Sequence, residues 1–280
     1  MLQRRSSLRT NRTVPEHPTI LMFDSGLGGL TVFREVKATR PDARLRYVAD
    51  DAFFPYGAHA EAELVGRVVP LMGALIDRHR PALVVIACNT ASTLVLPHLR
   101  ERYEVPFVGT VPAIKPACGA SQTKRVSVLG TEGTVSREYT RALIRDFGNG
   151  ADVTLVGSAK LAAIAEAELR GDAADDAAIA QEIAPCFVDE DGRRTDTIVL
   201  ACTHFPLLLS RLEQLAPWPV SFIDPAPAIA RRVVELIGPA AASATPLPTA
   251  SAEIAFTSGK PPSEALKATL ARFGLARISR

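Results

Sequence analysis

The feature that most constrains the fold is a regular alternation of short apolar runs with longer helix-like segments along the chain. Two of the runs, residues 83–87 and 197–201, are rich in β-branched side chains and carry no charge. Such a run is typical of a parallel strand that is buried on both faces. Because the alternation extends from residue 19 to residue 273, the sequence predicts an α/β protein with doubly wound parallel sheets. Among the predicted elements are helices over residues 61–79, 93–102 and 173–188 and a loop over residues 238–250.

A cysteine directly follows each of these two runs. Cys88 is followed by the hydrogen-bonding residues Asn89 and Thr90, and Cys202 is followed by Thr203 and His204. The carboxyl ends of parallel strands are where open α/β sheets bind ligands, so we expect both thiols in a ligand site. A helix beginning after the cysteine would stabilise a thiolate and lower the pKa of the thiol from about 8.5 toward neutrality. His204 can also set the charge of the Cys202 thiol.

A glycine- and hydroxyl-bearing loop precedes each cysteine by a few βα units. The first loop, at 24–29, contains Asp24 and Ser25, and the second, at 130–134, contains Thr131 and Thr134. This repetition predicts two similar doubly wound domains that face each other across a cleft, with one thiol on each wall. Hydroxyl groups at the strand ends suit a small, polar, charged ligand better than an apolar one.

Several of these residues have a plainer interpretation. The first loop partly matches a nucleotide-binding fingerprint, but it reads G-x-G-G and Asp24 would repel a phosphate. Its glycines could form only a tight turn, or they could present backbone N–H groups to a small anion such as a carboxylate. Tyr56 and Gly57, in a Pro-Tyr-Gly sequence, form either a turn or a wall of the cleft. Glu166 could lie on a solvated helix face.

The composition excludes several classes of protein. The 280 residues are 47% hydrophobic and 22% charged, which suffices for one large domain or two smaller ones. The net charge of +2 is too small to give the basic surface that nucleic-acid binding needs. No apolar run approaches the roughly 20 residues of a membrane span. Residues 1–18 are basic, lack a signal-peptide core and are expected to form a disordered arm.

The four cysteines show no C-x-x-C spacing, so neither a disulfide framework nor a zinc site is indicated. Cys118 and Cys186 lie in helix-like sequence without notable polar neighbours, and we interpret them as small core residues. Reduced thiols fit a cytoplasmic protein.

In combination, these motifs resemble those of the glutamate racemases, cofactor-independent enzymes of the aspartate/glutamate racemase superfamily. The resemblance covers residues 19–275 and rests on seven segments: 23–30 (FDSGLGGL), 55–57 (PYG), 87–91 (ACNTA), 130–131 (GT) with Thr134, 201–204 (ACTH), 256–259 (FTSG) and 273–275 (FGL). The two cysteine motifs in this order, together with the Asp-Ser-Gly loop, are highly specific.

The resemblance implies that Cys88 and Cys202 are acid/base thiols on opposite faces of the substrate α-carbon. It also implies that Asp24 supports Cys88, that His204 supports Cys202, and that Glu166 is a carboxylate near the second thiol. Ten residues would then hold the substrate: Asp24, Ser25, Tyr56, Gly57, Asn89, Thr90, Thr131, Thr134, Thr203 and His204.

The family organisation implies a first α/β domain made of residues 19–112 and 225–280, with residues 113–224 inserted as a second. The implied activity is interconversion of L- and D-glutamate in the cytoplasm without metal or cofactor, supplying D-glutamate for peptidoglycan synthesis. No nucleic-acid or membrane partner is expected. The oligomeric state stays open, a homodimer being one alternative.

Three other functions remain open from the residues alone. The first is an aspartate or broad-specificity racemase on the same fold. The second is a non-catalytic, two-lobed protein that binds small anions. The third is a thiol-redox protein, which would need two cysteine Cα atoms within about 7 Å of each other.

Overall fold

Two parallel sheets organise the protein, which is described here from a computed structural model over residues 15–240, 247 and 251–279. The strands in these residues are β1 (Thr19–Asp24), β2 (Arg44–Ala49), β3 (Leu83–Ile86), β4 (Phe107–Gly109), β5 (Arg125–Thr131), β6 (Asp152–Ser158), β7 (Asp189–Glu190), β8 (Arg193–Arg194), β9 (Thr197–Ala201), β10 (Ser221–Ile223), β11 (Glu253–Phe256) and β12 (Arg277–Ser279).

The helices alternate with these strands, as the apolar pattern predicts. They are α1 (Leu30–Thr39), α2 (Glu61–His79), α3 (Asn89–Arg102), α4 (Ile114–Ala120), α5 (Glu132–Val135), α6 (Glu138–Phe147), α7 (Leu161–Arg170), α8 (Asp176–Ile183), α9 (Leu209–Leu215), α10 (Ala226–Ile237) and α11 (Glu264–Phe273). Short 3₁₀ turns lie at Asp51–Phe53, Tyr56–Ala58, Ala184–Cys186 and Phe205–Leu208.

The first sheet has the strand order β12-β11-β2-β1-β3-β4, and the second has the order β10-β9-β5-β6. Every strand pair within these two sheets is parallel, which confirms the predicted α/β class with two parallel sheets. We call the first sheet with the helices packed on it the first lobe, and the second sheet with its helices the second lobe. A small antiparallel hairpin, β7–β8, forms a third sheet that the sequence analysis did not predict.

Both faces of the first sheet are covered. Within β1, Ile20 and Met22 belong to one apolar cluster, whereas Leu21 and Phe23 belong to the cluster on the other face. All four side chains are fully buried, and each contributes about 1.5–3 kcal/mol to the hydrophobic stabilisation. This two-sided burial explains why these strands are continuously apolar rather than alternating.

Strand register brings the functional loops of each lobe to one edge. Phe23 of β1 pairs with Ile86 of β3, so the loops after both strands begin side by side. In the second lobe Gly130 of β5 pairs with Ala201 of β9, which sets Thr131 beside Cys202 at the sheet edge. The predicted polar strand ends therefore converge within each lobe.

Two sequence predictions fall mainly outside the described residues. Residues 1–14 of the predicted disordered arm lie there, and so does most of the predicted loop at 238–250. The end of the predicted arm is placed: the carbonyl of Pro18 accepts a hydrogen bond from the Arg44 amide at 2.9 Å. None of the helices in the described part of the chain combines the length and apolar content needed to cross a membrane.

Candidate active site

A small cavity lies between the two lobes at the carboxyl ends of their strands. Its volume is about 20 Å³, room for about one water molecule. Ten of the predicted site residues line it: Ser25, Tyr56, Gly57, Cys88, Asn89, Thr90, Thr131, Cys202, Thr203 and His204. Three lining residues were not predicted: Phe54, Pro55 and Ala162. Both thiols thus face one space, and each comes from a different sheet.

Cys88 is the N-cap residue of α3. Its sulfur accepts a hydrogen bond from the Ala91 amide at 3.5 Å and lies 3.8 Å from the Ser25 hydroxyl oxygen. The helix amide lowers the pKa of Cys88 as predicted, but the predicted net pKa near neutrality is wrong. Burial, followed by the nearby Asp24 carboxylate, raises the pKa of Cys88, and the helix amide only partly offsets this. Cys88 is therefore held as the neutral thiol in the absence of substrate.

Asp24 ends β1 behind the glycine loop and does not line the cavity. One carboxylate oxygen, Oδ2, accepts a hydrogen bond from the Gly29 amide at 2.8 Å, while the other, Oδ1, is buried without a hydrogen-bond partner. Burial raises the pKa of Asp24, although the neighbouring His204 opposes this. An unpaired buried carboxyl oxygen of raised pKa can hold a proton close to Cys88.

Cys202 is joined to a buried imidazole and a buried carboxylate. His204 Nδ1 lies 3.9 Å from the Cys202 sulfur, and His204 Nε2 lies 2.9 Å from Glu166 Oε2. Glu166 comes from α7, where Arg170 donates a hydrogen bond to its other oxygen at 2.9 Å. Glu166 therefore reaches the second thiol only through His204 and does not line the cavity.

The proton on His204 Nε2 can be assigned from its neighbours. Burial alone would raise the pKa of Glu166, but its hydrogen bond to His204 and its other partners lower it, so the carboxylate is ionised. Burial disfavours the imidazolium, yet Cys202 and Glu166 outweigh burial and raise the pKa of His204. Nε2 then donates to Glu166. The Gly28 amide 3.2 Å from Nε2 is a close contact, because that nitrogen has no free lone pair.

The glycine loop of the first lobe packs directly on these second-lobe side chains. The Leu27 amide donates to Glu166 Oε2 at 2.9 Å. A Cβ added at Gly28 would lie 2.3 Å from His204 Nδ1, and one at Gly26 would lie 2.9 Å from Glu166 Oε2. The glycines are needed here because two side chains approach the backbone, which the sequence had left as one of two interpretations.

Three threonine hydroxyls meet across the two lobes. Thr90 Oγ1 lies 3.3 Å from Thr131 Oγ1 and 3.4 Å from Thr134 Oγ1, and the last two are 3.0 Å apart. Thr134 completes this cluster without lining the cavity. Beside it, both amide atoms of Asn89 are buried without a hydrogen-bond partner. A buried amide on a cavity wall, with neither atom used by the protein, can hydrogen-bond a polar ligand.

Tyr56 lines the cavity, and its hydroxyl is hydrogen-bonded within its own lobe. The hydroxyl donates a hydrogen bond of 2.6 Å to Asp50 Oδ2. Of the two interpretations of residues 55–57, a turn or a wall of the cleft, the structure shows a wall, and the Tyr56 hydroxyl has a partner within the protein. The hydroxyl of Thr31 in the first lobe donates to the Thr203 carbonyl at 3.3 Å, another contact across the lobes.

The other two cysteines are buried away from this cavity. Cys118 lies in α4 and Cys186 in the 3₁₀ turn that precedes β7, and burial raises the pKa of Cys186 to about 12. All four cysteines are within the described residues, and none forms a disulfide. In the same part of the chain, no group of three or more His, Cys, Asp or Glu side chains is arranged to hold a metal ion.

Comparisons with known proteins agree with this architecture. Residues 31–233 match the family described as Asp/Glu/Hydantoin racemase. The chain is 52% identical over 262 residues to glutamate racemase of Brucella canis, covering 93% of this chain and 94% of that protein.

Solved structures give the same result. The crystal structure of Escherichia coli glutamate racemase in complex with L-glutamate and the activator UDP-MurNAc-ala is 40% identical, with a TM-score of 0.84 and coverage of 94% of this chain and 97% of that chain. Glutamate racemase from Thermus thermophilus, in complex with β-chloro-D-alanine, is 27% identical with a TM-score of 0.70 and coverage of 95% and 97%. The chain therefore belongs to the Asp/Glu/hydantoin racemase family.

Proposed function

We propose that this chain interconverts L- and D-glutamate by moving protons on and off the substrate α-carbon. The observation that carries the proposal is the convergence of Cys88 and Cys202, from the ends of strands in two different sheets, on one cavity. Inverting a carbon centre requires proton removal on one face and proton delivery on the other. Two fixed groups achieve this without a swinging base.

The reaction needs one thiolate and one thiol. In one direction the Cys88 thiolate takes the α-proton, the electron pair stays on the α-carbon, and the Cys202 thiol donates its proton to the opposite face. The other direction exchanges the two roles. Charge is conserved, because one thiol forms as the other becomes a thiolate.

The two thiols have different proton partners. Asp24 has a raised pKa and lies near Cys88, so it is placed to exchange a proton with that sulfur, directly or through the substrate ammonium. His204, whose pKa is raised, lies beside Cys202, is held by Glu166 and can return a proton to that sulfur. The Asn89 amide and the threonine hydroxyls supply hydrogen bonds to the substrate and to charge that develops on its carboxylate.

Substrate entry requires the lobes to separate. Ligand pockets usually measure about 300–1,000 Å³, whereas this cavity holds about one water molecule. We assign residues 19–112 and 225–280 to one moving domain and residues 113–224 to the other. The contacts that opening must break are those from Leu27 to Glu166, from Thr31 to Thr203, and among the threonine hydroxyls.

The cellular role follows from the activity. A cytoplasmic enzyme that makes D-glutamate supplies a building block of peptidoglycan, and the Escherichia coli relative was solved with L-glutamate. Comparing the turnover of L-glutamate with that of L-aspartate tests whether glutamate is the substrate. A rate with L-aspartate at least as high as that with L-glutamate would refute this assignment. Sedimentation of the purified protein tests the homodimer.

Exchange of the α-hydrogen in D₂O tests the two thiols separately. L- and D-glutamate are incubated with the wild type, Cys88→Ala, Cys202→Ala and, as a matched control with a buried thiol elsewhere, Cys186→Ala. We expect both site variants to lose racemisation by more than about 10³-fold while Cys186→Ala retains it. Wild-type racemisation in either site variant would refute the two-thiol mechanism.

A further inference from the structure

A fully buried carboxylate beside the cavity has no place in the proton transfers above. Asp50 directly follows β2 and has no exposed surface. Its Oδ2 accepts hydrogen bonds from the Tyr56 hydroxyl at 2.6 Å and from Arg67 Nε at 2.9 Å. Its Oδ1 accepts from Arg67 Nη2 and from the Thr257 hydroxyl, both at 2.6 Å.

These four bonds occupy the carboxylate of Asp50. Burial alone would raise the pKa of Asp50, but the hydrogen bonds from Arg67 and the two hydroxyl groups lower it. An ionised carboxylate with both oxygens engaged, one side taken by a bidentate arginine, is poorly suited to act as a base or to bind an ammonium. Asp50 must therefore act through the position of the groups that it hydrogen-bonds.

Asp50 holds the part of the cavity formed by residues 55–57, which we call the 55–57 wall. Tyr56 is 1% exposed and lines the cavity, while its hydroxyl is fixed to Asp50. The next residue, Gly57, lies against the second lobe, where a Cβ built on it would be 3.4 Å from the Cβ of Thr131. The position of Asp50 therefore sets where this wall meets the other lobe.

A second pair of contacts ties the same region to the end of the chain. The Asp51 carboxylate accepts hydrogen bonds from the amide and the hydroxyl of Ser258, at 2.9 and 2.6 Å. Thr257 and Ser258 follow β11. The neighbouring carboxylates of Asp50 and Asp51 thus accept hydrogen bonds from these two neighbouring residues. This gives the wall a rigid support from an element far away in sequence.

We infer that Asp50, oriented by Arg67 and Thr257, is a positioning residue that fixes the 55–57 wall for substrate binding. This inference rests on the proposed function, since the substrate is glutamate. A wall that is no longer fixed adopts several positions, so glutamate binds more weakly in both the ground state and the transition state. The chemical step itself, carried by the thiols, changes little.

The test compares Thr257→Val, which removes the hydroxyl at nearly constant volume, with Thr257→Ser, which keeps it. Thr197→Val is the matched control, because the buried Thr197 hydroxyl also donates to a carboxylate, Asp196, at 2.9 Å, but at the amino end of β9. For each protein we would measure KM and kcat for L-glutamate, the Kd of L-glutamate by calorimetry, and the urea midpoint of unfolding.

We expect Thr257→Val to raise KM and Kd by about 5- to 10-fold, with kcat within about twofold of the wild type. Thr257→Ser should stay within about twofold in all three constants, and Thr197→Val should lower only the urea midpoint. If Thr257→Val resembles Thr197→Val, Thr257 is merely structural and the inference is overturned. An equal loss in Thr257→Ser and Thr257→Val would also overturn it.

Calorimetry separates this inference from the proposed function. If the wild type binds L-glutamate without racemising it, the proposed function fails, while the Kd values of the two Thr257 variants still decide the role of Asp50. If the wild type neither binds nor racemises L-glutamate, both proposals fall.

Discussion

The substitution Gly28→Ala adds one methyl group where the glycine loop of the first lobe packs on His204 of the second lobe. The new Cβ would lie 2.3 Å from Nδ1 and 2.7 Å from Cγ and Cε1 of His204. Gly28 does not adopt a positive φ, so alanine fits its backbone and the effect comes from the contact alone. The ring is buried and cannot move without lengthening its contacts with Cys202 and Glu166.

The cost can be bounded from packing data. Adding a methyl group to a well-packed interior costs about 1–3 kcal/mol. Because the contact joins two lobes, the protein can relieve the clash by opening. We therefore expect the substitution to destabilise the closed, catalytic state and to leave the folding of each lobe unchanged. Each 1.4 kcal/mol by which the closed state is destabilised lowers kcat/KM about tenfold. A cost of about 1–3 kcal/mol should therefore lower kcat/KM about 5- to 150-fold. The free energy of unfolding should change by less than about 1 kcal/mol.

The assay follows the optical rotation of D-glutamate with time and fits kcat and KM. Urea unfolding of the same preparation gives stability. Gly66→Ala is the control, since Gly66 lies within α2 and a Cβ there meets nothing within 4 Å. That variant should gain about 0.5–1 kcal/mol in stability and keep wild-type kinetics. If kcat/KM of Gly28→Ala stays within twofold of the wild type, the lobes do not meet this closely during turnover.

Three further outcomes are expected. Glu166→Gln removes one of the two partners that outweigh burial and raise the pKa of His204, so the alkaline limb of the kcat/KM profile should move to lower pH; an unmoved limb would contradict the role of Glu166. Asn89→Leu replaces an unsatisfied buried amide, so it should stabilise the protein by about 1–3 kcal/mol in urea while abolishing racemisation. Asp42→Asn breaks the buried pair with Arg40 and should lower the free energy of unfolding by about 3–5 kcal/mol at pH 7. The hydrogen bond from Arg40 lowers the folded-state pKa of Asp42, so this difference should be complete above about pH 4 and shrink as the pH falls through that pKa.

The strongly patterned elements were predictable from the sequence. The predicted helix at 61–79 and the predicted strand at 197–201 coincide with α2 and β9, because continuous apolar or amphipathic patterns leave few alternatives. Element ends were less predictable. The helix expected to begin at residue 93 begins at Asn89, since the Cys88 sulfur caps it, and cysteine is not a usual capping residue.

One region was assigned to the wrong structure. A single helix was predicted over residues 173–188, whereas α8 ends at Ile183 and a 3₁₀ turn and the β7–β8 hairpin follow. The turn of the hairpin is Asp191-Gly192, both residues with positive φ. An Asp-Gly pair is a known hairpin sequence and would have predicted the turn.

The site was predictable where it depends on strand ends and not where it depends on distant partners. Both thiols follow buried strands, which local sequence reveals. By contrast, Glu166 meets Leu27 across 139 residues, and helix periodicity alone left it on a solvated face; only the family resemblance assigned it to the site. The contact of Asp50 with Thr257 spans 207 residues, and nothing local in either segment indicates it.

The order of strands in the first sheet has a consequence for how the protein is synthesised. β11 pairs with β2, so the outer edge of β2 stays unpaired until residues 253–256 leave the ribosome. The four strands of the second sheet come from one contiguous stretch, so that lobe can fold while translation continues. The first lobe closes its sheet last, and the junction between Asp50 and Thr257 is then among the final contacts to form.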